Sequence, residues 1–212
     1  RVGFDNVRAT AEMMGIKSPL RPDKANEDKP AMCLGSMDVN LLELVNGYGT
    51  VANYGKHIDP VLVTRIVKTN PDGTEETIYN YEDEVDANAA ISARAAYFMQ
   101  KMLGFGLTDG GGTSQSLTDY VDTYMNTTDF GGKTGTSNNY SDAWFVGTSP
   151  NLVAGVWVGG EYRCIHFTSG AQGQGSRTAL PICGRFFQKV WGDSKLRPLV
   201  SAKYVGLSMP SS

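Results

Sequence analysis

Little in this chain points to metal, disulfide or nucleic-acid chemistry. It has only two histidines, His57 and His166, and neither belongs to a metal-ligand spacing. Its three cysteines, Cys33, Cys164 and Cys183, form no Cys-x-x-Cys, and an odd number cannot complete a disulfide framework. They read as small packed hydrophobes, and no metal or cofactor is expected. Neither sign of charge dominates: 19 basic residues stand against 22 acidic ones, giving a net charge of -3 and a pI of about 5.4. The basic stripe that a nucleic-acid partner requires is therefore lacking. No apolar run approaches the roughly 18 residues of a membrane span. An initiator Met, a basic leader and an apolar leader core are lacking too, so Arg1-Val2-Gly3-Phe4 reads as the middle of a longer chain.

What is present is globular: 212 residues, 41% hydrophobic and 19% charged, enough to bury a sizeable core. Phe4, Val7, Ala11 and Met14 share one helical face, and Gly15 is a stop. The polar stretch 17–29 reads as an exposed loop. Asn40 and Glu43 have capping-box spacing ahead of a helical stripe, Leu41, Val45, Tyr48 and Ala52, which should end near Gly55. The β-branched segment 60–68, the turn Asn70-Pro71-Asp72-Gly73 and the extended 77–79 predict a hairpin. Ser92 is an N-cap for a helix expected to bury Ile91, Ala95, Phe98 and Met102. Gly104, Gly106 and Gly110-Gly111-Gly112 should break it, leaving a polar, mobile loop to about Thr128.

Three extended segments follow, 131–137, 142–147 and 152–158, and Ser149-Pro150-Asn151 makes the last two antiparallel neighbours. Their nearly continuous apolar character predicts strands covered on both faces, with Trp144 and Trp157 in the core. A final helix over 178–190, with Pro181 in its first turns, precedes an irregular tail. Helices, then an antiparallel sheet, then a helix give an α+β class. The expected division is a domain over 1–192 and a tail over 193–212.

The sharpest local signal is Gly131-Gly132-Lys133-Thr134-Gly135-Thr136. On a strand, Lys133 and Gly135 point one way and Thr134 and Thr136 the other. Gly135 leaves the surface bare, so an extended ligand can approach the strand edge. Two hydroxyls and a nearby ammonium suit a carboxylate. The tripeptide Lys-Thr-Gly also arises by chance, and a strand glycine can simply mark a bulge. Asp142 can orient Lys133 or stand as a solvated strand-end charge.

Lys-Thr-Gly is one of three motifs, with Ser-x-x-Lys and Ser-Asp-Asn, that mark penicillin-binding proteins and class A β-lactamases. Here Gly132-Lys133-Thr134-Gly135-Thr136-Ser137-Asn138 is followed by Asp142-Ala143-Trp144-Phe145-Val146-Gly147 and Val153-Ala154-Gly155-Val156-Trp157-Val158-Gly159. That succession resembles the end of the transpeptidase domain in class A, bifunctional penicillin-binding proteins. Leu34-Gly35-Ser36 with the helix after it, Ile91-Ser92-Ala93-Arg94-Ala95-Ala96-Tyr97, and Gly173-Gln174-Gly175-Ser176 before Ala179-Leu180-Pro181-Ile182 resemble other segments of that family, in its order, from Arg1 to about Trp191.

The resemblance implies a partial penicillin-binding protein or serine β-lactamase-like fold. It implies a serine that attacks the D-Ala-D-Ala carbonyl of a peptidoglycan stem peptide, forming an acyl-enzyme that an amine then resolves into a cross-link. β-Lactams would acylate the same serine. Lys133 would be the electrostatic anchor, Thr134 and Thr136 the carboxylate ligands, Gly135 the clearance, and the Thr136 amide one oxyanion donor. No Ser-x-x-Lys occurs in the chain. Ser-x-Asn occurs at Ser137-Asn138-Asn139 and again in the turn Ser149-Pro150-Asn151; both follow the Lys-Thr-Gly strand instead of preceding it, and the match at 137–139 reads as coincidence. The nucleophile is thus expected upstream of Arg1, no catalytic residue within the chain, and the chain inactive alone. The parent would also be a glycosyltransferase, anchored in the cytoplasmic membrane with this domain outside. Two other readings are a β-lactamase and a non-catalytic sensor of the same fold. A domain lacking its upstream part would expose core surface and self-associate.

Overall fold

The computed structural model describes residues 2–20, 30–83 and 87–206; of the loop expected over 17–29, residues 21–29 lie outside the described residues. In chain order the elements are α1 (Phe4–Met13), α2 (Leu41–Ala52), β1 (Lys56–His57), β2 (Arg65–Thr69), β3 (Glu75–Asn80), β4 (Asn88–Ala89) and α3 (Ala93–Thr108). They continue with α4 (Thr118–Val121), β5 (Gly131–Thr136), β6 (Asp142–Thr148), β7 (Val153–Gly159), α5 (Gly170–Gly173), α6 (Ala179–Gly192) and α7 (Arg197–Val200). β2 and β3 form the hairpin around Asn70-Pro71-Asp72-Gly73, where Gly73 takes the positive φ the turn needs. β1 and β4 make a two-residue ribbon.

The central sheet is antiparallel, in the order β5-β6-β7. Its register sets Thr134 beside Phe145 and Val156, and Gly135 beside Trp144 and Trp157. Opposed residues share a face, so Phe145 and Trp144 lie on opposite faces. α6 covers the Phe145 face so closely that a methyl on Gly147 would stand 2.9 Å from the Phe187 ring. On the other face α2 approaches equally closely, and a methyl on Gly155 would meet Val45 at 2.4 Å. Glycines in these strands let helices seat directly on the backbone. The core is aromatic: Phe130, Phe187 and Trp191 stack with centroids 4.8 and 5.2 Å apart, and the Trp191 indole donates to Thr128 Oγ1 at 3.0 Å. Burial pushes the Cys183 thiol up to about 12, so this cysteine is an inert core group. The architecture is the α+β arrangement of antiparallel sheets with flanking helices.

Several local expectations are corrected. α3 does not break at Gly104 or Gly106 but runs to Thr108. Gly106 lies against the β5 backbone, where a Cβ would come within 3.2 Å of the Gly132 carbonyl; that close seat outweighs a helical glycine's cost of about 1 kcal/mol. The buried face of α3 carries Ala96, Gln100, Leu103 and Leu107, whereas Phe98 and Met102 are exposed. Gln100 is tolerated inside because its amide donates to the Val51 carbonyl at 2.7 Å. The segment after α3 is folded, not a polar loop: Leu117 and Val121 are fully buried against α6 and its neighbours. Only half of the capping box forms. Asn40 accepts from the Leu42 amide, while Glu43 turns away to take the Ser18 amide and hydroxyl at 3.0 and 2.7 Å. Trp144 and Trp157 are not core residues. They pair across strands 6.3 Å apart on the part of the sheet face that α2 leaves open, and Trp157 is 40% exposed.

The residues after Trp191 stay against this unit. The Asp129 carboxylate, just before β5, receives Lys203 Nζ and the Tyr204 amide, and the Asp129 amide donates to the Ala202 carbonyl.

Candidate functional site

β5 is one of the two edge strands of the central sheet, and its two halves differ. Near its start the outer edge is occupied: the buried Ser114 hydroxyl donates to the Gly132 carbonyl at 3.1 Å. The Thr134 carbonyl also faces outward, where Lys133 Nζ reaches it at 2.7 Å. The Ser137 amide instead points inward, to the Asp142 carbonyl. Backbone groups alternate along a strand, so the Thr136 amide lies on the outer edge. An amide donor, a carbonyl acceptor and an ammonium therefore share one open strand edge, the pattern an added extended peptide needs.

The side chains divide as alternation requires. Lys133 and Gly135 lie on the Trp144 face, and Thr134 and Thr136 on the Phe145 face. Both threonine hydroxyls are already engaged on one side. The Gly175 amide donates to Thr136 Oγ1 at 3.1 Å; this uses a lone pair and leaves the hydroxyl proton to donate elsewhere. Gly175 sits flat on the strand ends, where a Cβ would fall 2.4 Å from the Trp144 carbonyl oxygen and 2.5 Å from that of Gly135. Thr134 Oγ1 lies 2.7 Å from Thr113 Oγ1. Sequence reading missed both neighbours. The Gly-x-Gly at 173–175 signals only a helix entry, and the triple glycine before Thr113 signals a break.

Asp142 does not contact Lys133. It accepts from the Trp157 indole at 3.1 Å and the Ser141 hydroxyl at 2.8 Å, fixing the Trp pair. Ser137 belongs to the turn after β5: its hydroxyl accepts from the Asp142 amide at 2.8 Å and contacts Ser141 and Asn139. A second polar group, Thr50, His57 and Asp59, mimics a relay, with contacts of 3.2 and 3.5 Å. The Thr50 hydroxyl is buried and bonded to the Asn46 carbonyl, so no substrate reaches it.

Three comparisons bear on this geometry. A family model for the penicillin binding protein transpeptidase domain matches residues 1–162. Penicillin-binding protein 1A of Aquifex aeolicus is 30% identical over 182 residues, covering 86% of this chain and 22% of that protein. Penicillin-binding protein 1A of Rickettsia bellii is 33% identical over 183 residues, covering 79% of this chain and 22% of that protein. Among solved structures, penicillin-binding protein 1A from Haemophilus influenzae superposes with a TM-score of 0.72 at 19% identity, over 97% of this chain and 32% of that one. An imipenem acyl-enzyme complex of penicillin-binding protein A from M. tuberculosis shares the fold more loosely, with a TM-score of 0.51 at 20% identity, over 87% of this chain and 43% of that one. This chain thus spans about a fifth of the curated relatives' length.

Proposed function

This chain belongs to the penicillin-binding protein transpeptidase family, and on that premise we propose that it forms the carboxylate-binding wall of a serine D,D-transpeptidase site. The substrate would be a peptidoglycan stem peptide ending in D-Ala-D-Ala, lying along the open edge of β5, and β-lactams would occupy the same place. Lys133 supplies positive charge, Thr134 and Thr136 supply hydroxyl donors to the terminal carboxylate, and Gly135 leaves room for the ligand. The Thr136 amide donates to the oxyanion of the tetrahedral intermediate. The observation that carries this reading is the open edge at Thr134–Thr136 beside a hydroxyl whose lone pair, not whose proton, is taken by Gly175.

The nucleophile must come from elsewhere, because no Ser-x-x-Lys lies within the 212 residues. The serine, its lysine and the second oxyanion donor therefore belong to other parts of a longer protein, and this chain alone forms no acyl-enzyme. That protein resides in the cell envelope, held at the cytoplasmic membrane, and carries a glycosyltransferase as well. No helix among the described residues is long and apolar enough to cross a membrane, so the anchor would also lie outside them. The exposed stripe of Phe98, Met102 and Phe105 on α3 is covered by the rest of that protein and, without it, drives self-association.

Lys133→Ala in the full-length protein tests the reading. Loss of a charge-assisted contact to a carboxylate should slow acylation by fluorescent penicillin ten- to roughly a hundredfold, with folding retained. An unchanged rate contradicts it.

A further inference from the structure

We propose that Thr113 is a positioning residue for this site: it donates its hydroxyl proton to Thr134 Oγ1 and so frees the Thr134 proton for the ligand's carboxylate. This rests on the transpeptidase reading and adds a residue from outside the Lys-Thr-Gly strand.

Two hydroxyl oxygens 2.7 Å apart share one proton between them, so one donates and the other accepts. If Thr134 donated to Thr113, it would offer a carboxylate only lone pairs, which repel it. The opposite sense gives a chain from Thr113 to Thr134 to carboxylate, in which each bond polarises the next. Thr136 has the same arrangement on its other side, with the Gly175 amide as donor at 3.1 Å. The two threonines are then equivalent: each accepts from a fixed donor and turns its proton outward.

Thr113 is exposed, yet its backbone is held on both sides. On one side Gly112 is pressed to the end of α3, where a Cβ would stand 2.2 Å from the Gly106 carbonyl oxygen. On the other, the buried Ser114 donates its amide to Gly106 at 3.2 Å and its hydroxyl to Gly132 at 3.1 Å. The hydroxyl is thus delivered to the point where the β5 edge opens, by contacts that bridge α3 and β5.

The test compares Thr113→Val, which keeps the shape and removes the hydroxyl, with Thr113→Ser, which keeps the hydroxyl, in the full-length protein that carries this chain. Acylation is timed with benzylpenicillin and with its methyl ester, which lacks the carboxylate. Thr113→Val should slow benzylpenicillin about tenfold while the ester changes less than about twofold, and Thr113→Ser should restore most of the loss. Thr113→Ala, also without the hydroxyl, should behave as Thr113→Val does and serves in its place if that variant misfolds. Equal rates for wild type and Thr113→Val, or equal slowing of both compounds, overturn the assignment. A wild-type protein that takes no benzylpenicillin refutes the transpeptidase reading itself, and with it the role of Thr113.

Discussion

At the scale of single residues, the site depends on contacts too close for side chains. Gly175 is the clearest case. A methyl there would lie 2.4 and 2.5 Å from two backbone oxygens, of Trp144 and Gly135, and backbone cannot swing aside as a side chain can. Gly175→Ala should therefore destabilise the protein by roughly 2 kcal/mol or more in urea unfolding. It should also loosen Thr136, because the same residue supplies the amide that anchors its hydroxyl. A stability within a few tenths of wild type would show that the strand ends yield. The Lys-Thr-Gly-Thr strand could be read from sequence because its residue types are special in themselves. Thr113 and Gly175 could not, since their importance comes from proximity to β5 across 21 and 39 residues of chain.

At the scale of elements, periodicity found the four longer helices, the hairpin and the three central strands, passed over the short β1, β4, α4, α5 and α7, and failed where two apolar stripes shared one helix. α3 carries apolar residues on two sides, Phe98, Met102 and Phe105 on one and Ala96, Leu103 and Leu107 on the other. The side with Leu103 is buried where Gly106 and Gly131 let α3 and β5 approach closely, and the side with Phe98 is open. α2 illustrates a different limit. Asn40 caps it as spacing predicts, but Glu43 prefers Ser18, 25 residues away. The Ser18 hydroxyl and amide hold the Glu43 carboxyl below its ordinary value. A carboxylate lowered on folding adds stability that is fully present above the unfolded value, about 4.3, and is lost as pH falls through the folded one. Ser18→Ala should cost less than about 1 kcal/mol at neutral pH, since the pair is part-exposed. The difference between variant and wild type should shrink as pH falls below about 4. Denaturant melts at neutral and acid pH check this; a difference that grows with acidity contradicts it.

At the scale of the whole molecule, the chain pairs a well-packed aromatic core with apolar surface that has no cover. Phe98, Met102 and Phe105 on α3 and Trp157 on β7 stand in solvent, while Phe145, Phe187 and Trp191 are fully buried. The purified chain should therefore sediment as concentration-dependent oligomers, and Met102→Lys should shift it towards monomer. A monomer at all concentrations would show that the stripe is tolerated in water. Fold class and family were legible because the sheet and its glycine-rich edge keep the family's motif order. The surroundings of the site were not, because Thr113 and Gly175 come beside β5 only through the fold. The direct test is intact-mass and peptide-mapping spectrometry after benzylpenicillin treatment of both the isolated chain and the full-length protein. The account predicts no adduct on the isolated chain, and on the full-length protein one adduct on a serine outside these 212 residues. An adduct on any residue of this chain would contradict it.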